Sequence, residues 1–140
     1  MNQMDAVIEG FFAGFPILIG HFALTIGILG LGVAIYTWLT PYHELKLIKA
    51  GNTAAALSLS GAIVGLALPL AVAMAGSVNA IDILIWGALT LIIQLGAYKI
   101  ADMMLRGLPE RIENDEIGAA ILVVGVKLAV AMINAAAVTG

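Results

Sequence analysis

Four stretches of this chain are almost continuously apolar: Ile17 to Leu39, Ala54 to Met74, Ile83 to Leu105 and Ile117 to Val138. At 1.5 Å per helical residue, about twenty residues cross about 30 Å of hydrocarbon. The pattern therefore predicts four transmembrane helices in an all-α, polytopic membrane protein. Gly14 and Pro16 predict a break ahead of the first span, because proline removes a backbone donor. Residues 1–15 then read as an interfacial N-terminal segment, followed by two-helix repeats over 16–76 and 77–140. Ala23-Leu24-Thr25 recurs as Ala88-Leu89-Thr90, and Ala55, Ala56 and Gly61 recur 64 positions later as Ala119, Ala120 and Gly125. Each copy holds an even number of spans, so the two point the same way, as tandem helical hairpins of parallel topology.

The polar segments between the spans set an orientation. Lys46 and Lys49 follow the first span, and Lys99, Arg106 and Arg111 surround the end of the third. Ala75 to Asp82 and both tails hold no lysine or arginine. The positive-inside rule puts the first and third loops in the cytoplasm and both termini outside.

Composition narrows the function. Of 140 residues, 62% are hydrophobic and 11% charged, with a net charge of −3 and no cysteine. Nothing basic is long enough to follow a phosphate backbone, so no nucleic-acid partner is expected. Without cysteine there is no thiolate or Cys-ligated metal, and His21 and His43 are too far apart in sequence to form a recognisable metal motif. The chain shows no nucleophile–base pair, so neither an enzyme nor a cofactor is expected.

Lys127 is the sharpest chemical feature, ten residues into the fourth span, where an ammonium costs roughly 2.5–3.5 kcal/mol. Lys127, Ala131 and Asn134 share one helical face. Gln94 lies at a comparable depth on the third span as an acceptor for the ammonium, and His21 sits near the outer end of the first. Two readings of this intramembrane polar site stand side by side: an ion or proton pathway, or a set of structural hydrogen bonds between helices. No acid is expected at the midplane opposite Lys127. Asp102 is placed to pair with Lys99 at i, i+3, and Glu44 reads as a solvated loop charge. Asn52 reads as a helix cap. Gly61 and Gly65, in GxxxG spacing, are candidate helix-packing positions through which copies of the chain associate. Any conduction pathway is then expected between subunits, because four helices leave little interior room.

The run from Pro41-Tyr42-His43-Glu44 through Ile48-Lys49-Ala50-Gly51-Asn52-Thr53-Ala54-Ala55-Ala56 to Gly61, with Gly65, Trp86-Gly87 and Gln94-Leu95, resembles the YjfL family. These are small bacterial inner-membrane proteins built from two copies of a two-helix unit, catalogued as a domain of unknown function. The resemblance spans about Gly20 to Ala136, and its most specific piece is the loop motif with Glu44 and Asn52, whose counterpart in the second copy is Glu116. It implies the fold and an inner-membrane location, with membrane-stress proteins as neighbours, and it supplies no activity.

The expectation is thus an oligomeric inner-membrane protein in contact with lipid, either channel- or transporter-like or a membrane scaffold whose loops recruit partners.

Overall fold

The computed structural model describes residues 2–139, and all the regular elements among them are helices: α1 (Gln3–Leu39), α2 (Glu44–Lys49), α3 (Thr53–Gly76), α4 (Ala80–Met104), α5 (Leu108–Glu113) and α6 (Ile117–Thr139). The four long helices are each long and apolar enough to cross a membrane.

The expected break at Pro16 is absent. Asn2 and Asp5 form a capping box, and α1 then runs without interruption through Pro16 for 37 residues, about 55 Å at the helical rise. Proline already has the helical φ; it forfeits one amide donor and crowds the carbonyl of Phe12, and the helix continues through it nonetheless. Residues 2–20 are all exposed, and α1 buries only Gly32 and Tyr36, where its second half packs on α3 and α4.

The most extensive pairing is α3 with α6, and small residues make it possible. Ala54, Ala55, Ala62, Ala120 and Ala131 are all at most 1% exposed. A Cβ on Gly61 would sit 2.7 Å from Val124 of α6, and one on Gly65 would sit 1.8 Å from the Tyr98 hydroxyl of α4. The small-residue face of α3 is therefore filled from within the same chain, which leaves no room there for the association between copies expected from the GxxxG spacing.

The two polar loops each hold a short helix. Long, short and long helices occur twice, with α2 and α5 starting 64 residues apart at Glu44 and Leu108. The two short helices end on matching left-handed residues, Gly51 with φ 92° and Asp115 with φ 59°. A side chain is tolerated in that region chiefly when it is Asn or Asp, and Asp115 uses its carboxylate to accept from the Ala54 amide at 2.8 Å. Asn52 accepts from Ala55 at 2.8 Å and donates to the Ile112 carbonyl at 2.9 Å. The first turn of α3 is thus capped from both halves of the chain, satisfying donors a helix start leaves open.

Candidate functional site

The α2 and α5 end of the bundle encloses a cluster of charge. Lys127 on α6 is 1% exposed. Side chains on a helix lean toward its N-terminus, so this long one reaches back toward the end where α4 finishes and α2 begins. Its ammonium donates to the Tyr36 hydroxyl of α1, lies 4.5 Å and 5.2 Å from the ring centroids of Tyr36 and Tyr98, and stands 3.8 Å from the Asp102 carboxylate of α4. The two tyrosine rings meet edge to face at 5.7 Å. Two π faces and a carboxylate stabilise a cation that lipid would not.

Two sequence expectations change here. An acid does face Lys127, and it is Asp102, which makes no ion pair with Lys99 among the described residues. The reason is geometric: Asp102 follows Thr90, Gln94 and Tyr98 at steps of four on α4 and so shares their inward face, while Lys99 is exposed. That step-of-four polar stripe is the signal in the sequence from which Tyr98 and Asp102 were legible. Tyr36 carries no comparable signal.

Glu44 is not a solvated loop charge. As the first residue of α2 it is 2% exposed, and neither of its carboxylate oxygens has a hydrogen-bond partner. Burial pushes its carboxyl up to about 7, against the pull of the Lys127 ammonium. Beside it, the buried Tyr42 hydroxyl lies 3.4 Å from Ser58 Oγ.

A second polar group lies further along the same helices. Asn134 donates to Gln94 Oε1 at 3.0 Å and to the Thr90 carbonyl at 3.2 Å, while Gln94 Nε2 is buried without a partner. Gln94 thus serves Asn134 rather than the ammonium. Tyr98 donates to the Ala62 carbonyl at 3.2 Å. The buried Thr90, Gln94 and Tyr98 and the half-buried Asp102 on α4 thus face Lys127 and Asn134 on α6, forming one polar file within a single chain. A space lined by Tyr36, Tyr98 and Asp102 measures about 10 Å³, room for about one water.

The remaining candidates lie elsewhere. His21 is half-buried on α1, fifteen residues or about 22 Å from Tyr36 along the helix; its carbonyl accepts from Thr25 at 2.8 Å. Glu116 is exposed and accepts from Arg111 at 2.7 Å. Glu44, Asn52 and Glu116, read from the sequence as one loop motif, divide into a buried acid, a helix cap and a surface ion pair. Among the described residues no His, Asp and Glu group has the geometry of a metal site.

A family model described as a Domain of Unknown Function, DUF350, matches residues 10–138. The chain is 33% identical over 119 residues to the UPF0719 inner membrane protein YjfL of Escherichia coli K12, covering 85% of this chain and 90% of that protein. The protein of that name from Escherichia coli O157:H7 matches to the same extent. No solved structure matches.

Proposed function

This chain belongs to the DUF350 family, and on that footing we propose that it is an oligomeric, non-enzymatic inner-membrane protein, channel- or transporter-like, whose subunits each relay protons through their own polar file. Four apolar helices and a relative named as an inner membrane protein support the location. The repeated order of elements at a 64-residue offset supports a tandem duplication, and the loop charges support termini on the outer side.

The observation that carries the function is the gathering of Lys127, 1% exposed, and Glu44, 2% exposed, around Asp102, whose side chain is 29% exposed, on three helices. Burying an ion pair seldom improves on apolar packing, and ionisable groups inside a membrane protein mark ion paths by default. The pathway runs inside the subunit, because Lys127 is covered within its own chain. The small free space beside Tyr36 and Asp102 favours protons as the cargo, since a hydrated ion or solute needs a wider conduit. Glu44, Asp102 and Lys127 are the groups able to exchange a proton. Gln94, Asn134 and Thr90 extend the polar lining away from the cluster.

The test is proton flux in liposomes containing the purified protein and a trapped pH-sensitive dye, under a valinomycin-clamped potential. Wild type is expected to dissipate a pH gradient, with Glu44→Gln and Asp102→Asn each slowing it at least tenfold. Wild-type liposomes no leakier than empty ones overturn the relay. The tight packing around Lys127 favours, as a second reading, a membrane scaffold in which the cluster fixes helix register and the two short loop helices recruit partners.

A further inference from the structure

Where α1 ends and α2 begins, the chain turns through an elbow with a cleft of about 620 Å³, lined by Thr37, Trp38, His43, Glu44, Lys46 and Lys49. Lys46 and Lys49 are one turn apart on α2, both exposed, and neither is in an ion pair among the described residues. Glu44 lines the cleft but is 2% exposed, so it adds little accessible negative charge. Trp38 is 80% exposed and Leu45 61%. The two cations are therefore bracketed by an indole and an aliphatic side chain at the level where the first span finishes. Indoles settle at the headgroup depth of a bilayer, and lysine stems lie along apolar surface while their ammonium groups reach for phosphate.

The matching place in the second half has the opposite charge. At the 64-residue offset, α5 carries Glu110 and Glu113 where α2 carries Lys46 and Lys49. The cation of α5, Arg111, is tied to Glu116. An accessible pair of free cations beside a membrane-level tryptophan thus belongs to one elbow alone of the two.

We propose that this cleft binds the headgroup of an anionic phospholipid in the adjoining leaflet, with Lys46 and Lys49 on its phosphate and Trp38 against the glycerol and upper acyl region. Lysine suits this ligand as a mobile point charge for phosphate, and each basic residue near an anionic lipid surface contributes about fivefold in affinity.

The experiment measures phosphatidylglycerol retention against phosphatidylcholine by native mass spectrometry of the full chain released from mixed nanodiscs. Wild type is expected to retain phosphatidylglycerol preferentially. Lys46→Gln and Lys49→Gln each cut that preference about fivefold and the double variant roughly thirtyfold. Arg106→Gln, an exposed cation at the same end but outside the cleft lining, leaves it within about twofold. Retention after release from the bilayer reads a headgroup held in the cleft and not attraction to the whole surface. Millimolar inorganic phosphate is expected not to displace the lipid, because phosphate alone makes no use of Trp38. The proposal is overturned by an undiminished preference in the lysine variants, by an equal loss in Arg106→Gln, or by displacement with phosphate. A lower oligomer mass in the lysine variants with lipid retention unchanged also overturns it, by assigning the cleft to a second copy of the chain. The single variants, at exposed positions, keep the measurement decisive should the double variant fail to insert.

Discussion

The Lys127 ammonium and the Asp102 carboxylate stand 3.8 Å apart although 25 residues separate them in sequence and they lie on different helices. Asp102 is near the end of α4 and Lys127 ten residues into α6, so the lysine stem closes the difference in depth by leaning toward the start of its helix. With Glu44 on α2, one buried cation faces a buried acid and a half-buried one.

This arrangement makes removal of one partner costly. Lys127→Met leaves the buried Glu44 and the half-buried Asp102 without a cation and is expected to destabilise the protein by about 1–3 kcal/mol, less than for a fully buried pair. The triple variant Lys127→Met, Asp102→Asn, Glu44→Gln removes the charges together and is expected to recover most of that loss. Thermal unfolding of the purified proteins in one detergent measures both. A Lys127→Met protein as stable as wild type would show that the lysine makes no stabilising contact.

Glu44 makes stability depend on pH. Its carboxyl, raised from 4.5 to about 7, holds a proton in the folded state that it releases when unfolded. The folded state therefore binds more protons between those values, and its stability falls as pH rises through that window. The groups facing Glu44 are Lys127 on α6, Asp102 on α4, Tyr36 on α1 and the neighbouring Tyr42. Relative to wild type, Glu44→Gln is expected to gain about 1–3 kcal/mol at pH 8 and to show no gain below pH 4.5. Melting curves of the two proteins across pH 4–8 test the sign. A difference that grows toward low pH would place the carboxyl on the solvated side of the elbow.

Close approach at Gly65 couples α3 to α4. A methyl group there meets the Tyr98 hydroxyl at 1.8 Å, so Gly65→Ala is expected to cost about 1–3 kcal/mol. Tyr98→Phe removes the clashing oxygen, and the double variant is expected to lose less than the sum of the two single changes, a coupling that a double-mutant cycle reads directly. Additive costs would mean that the two sites adjust independently.

The orientation is checked with single cysteines, since the chain has none. Gln3, Val78, Asn114 and Thr139 are exposed, and Val78 is preferred to Asn79 because Asn79 caps α4 by accepting from Asp82. An impermeant maleimide added to intact cells is expected to label Gln3→Cys, Val78→Cys and Thr139→Cys and to spare Asn114→Cys. The reverse pattern would turn the bundle over.

The sequence by itself determined the number of spans, the bounds of the last three and the end of the first to within a few residues, and the depth of Lys127. These follow from chain-local quantities, the length of an apolar run and the rise of a helix. It also marked Asn52 as a cap and Gly61 and Gly65 as places of close approach. Only the tertiary structure decided which surface approaches: Val124 and Tyr98 of the same chain fill the gaps over the two glycines. Likewise, Tyr36, Asp102 and Glu44 lie 91, 25 and 83 residues from Lys127 (127−36, 127−102 and 127−44), and no local pattern pairs them. Helix packing brings Tyr36 and Asp102 to the ammonium, and the turn of the chain into α2 buries Glu44 in place of leaving it in water. Whether an ionisable residue is solvated or enclosed depends on what the rest of the chain lays over it, and in this protein that cover comes from other helices.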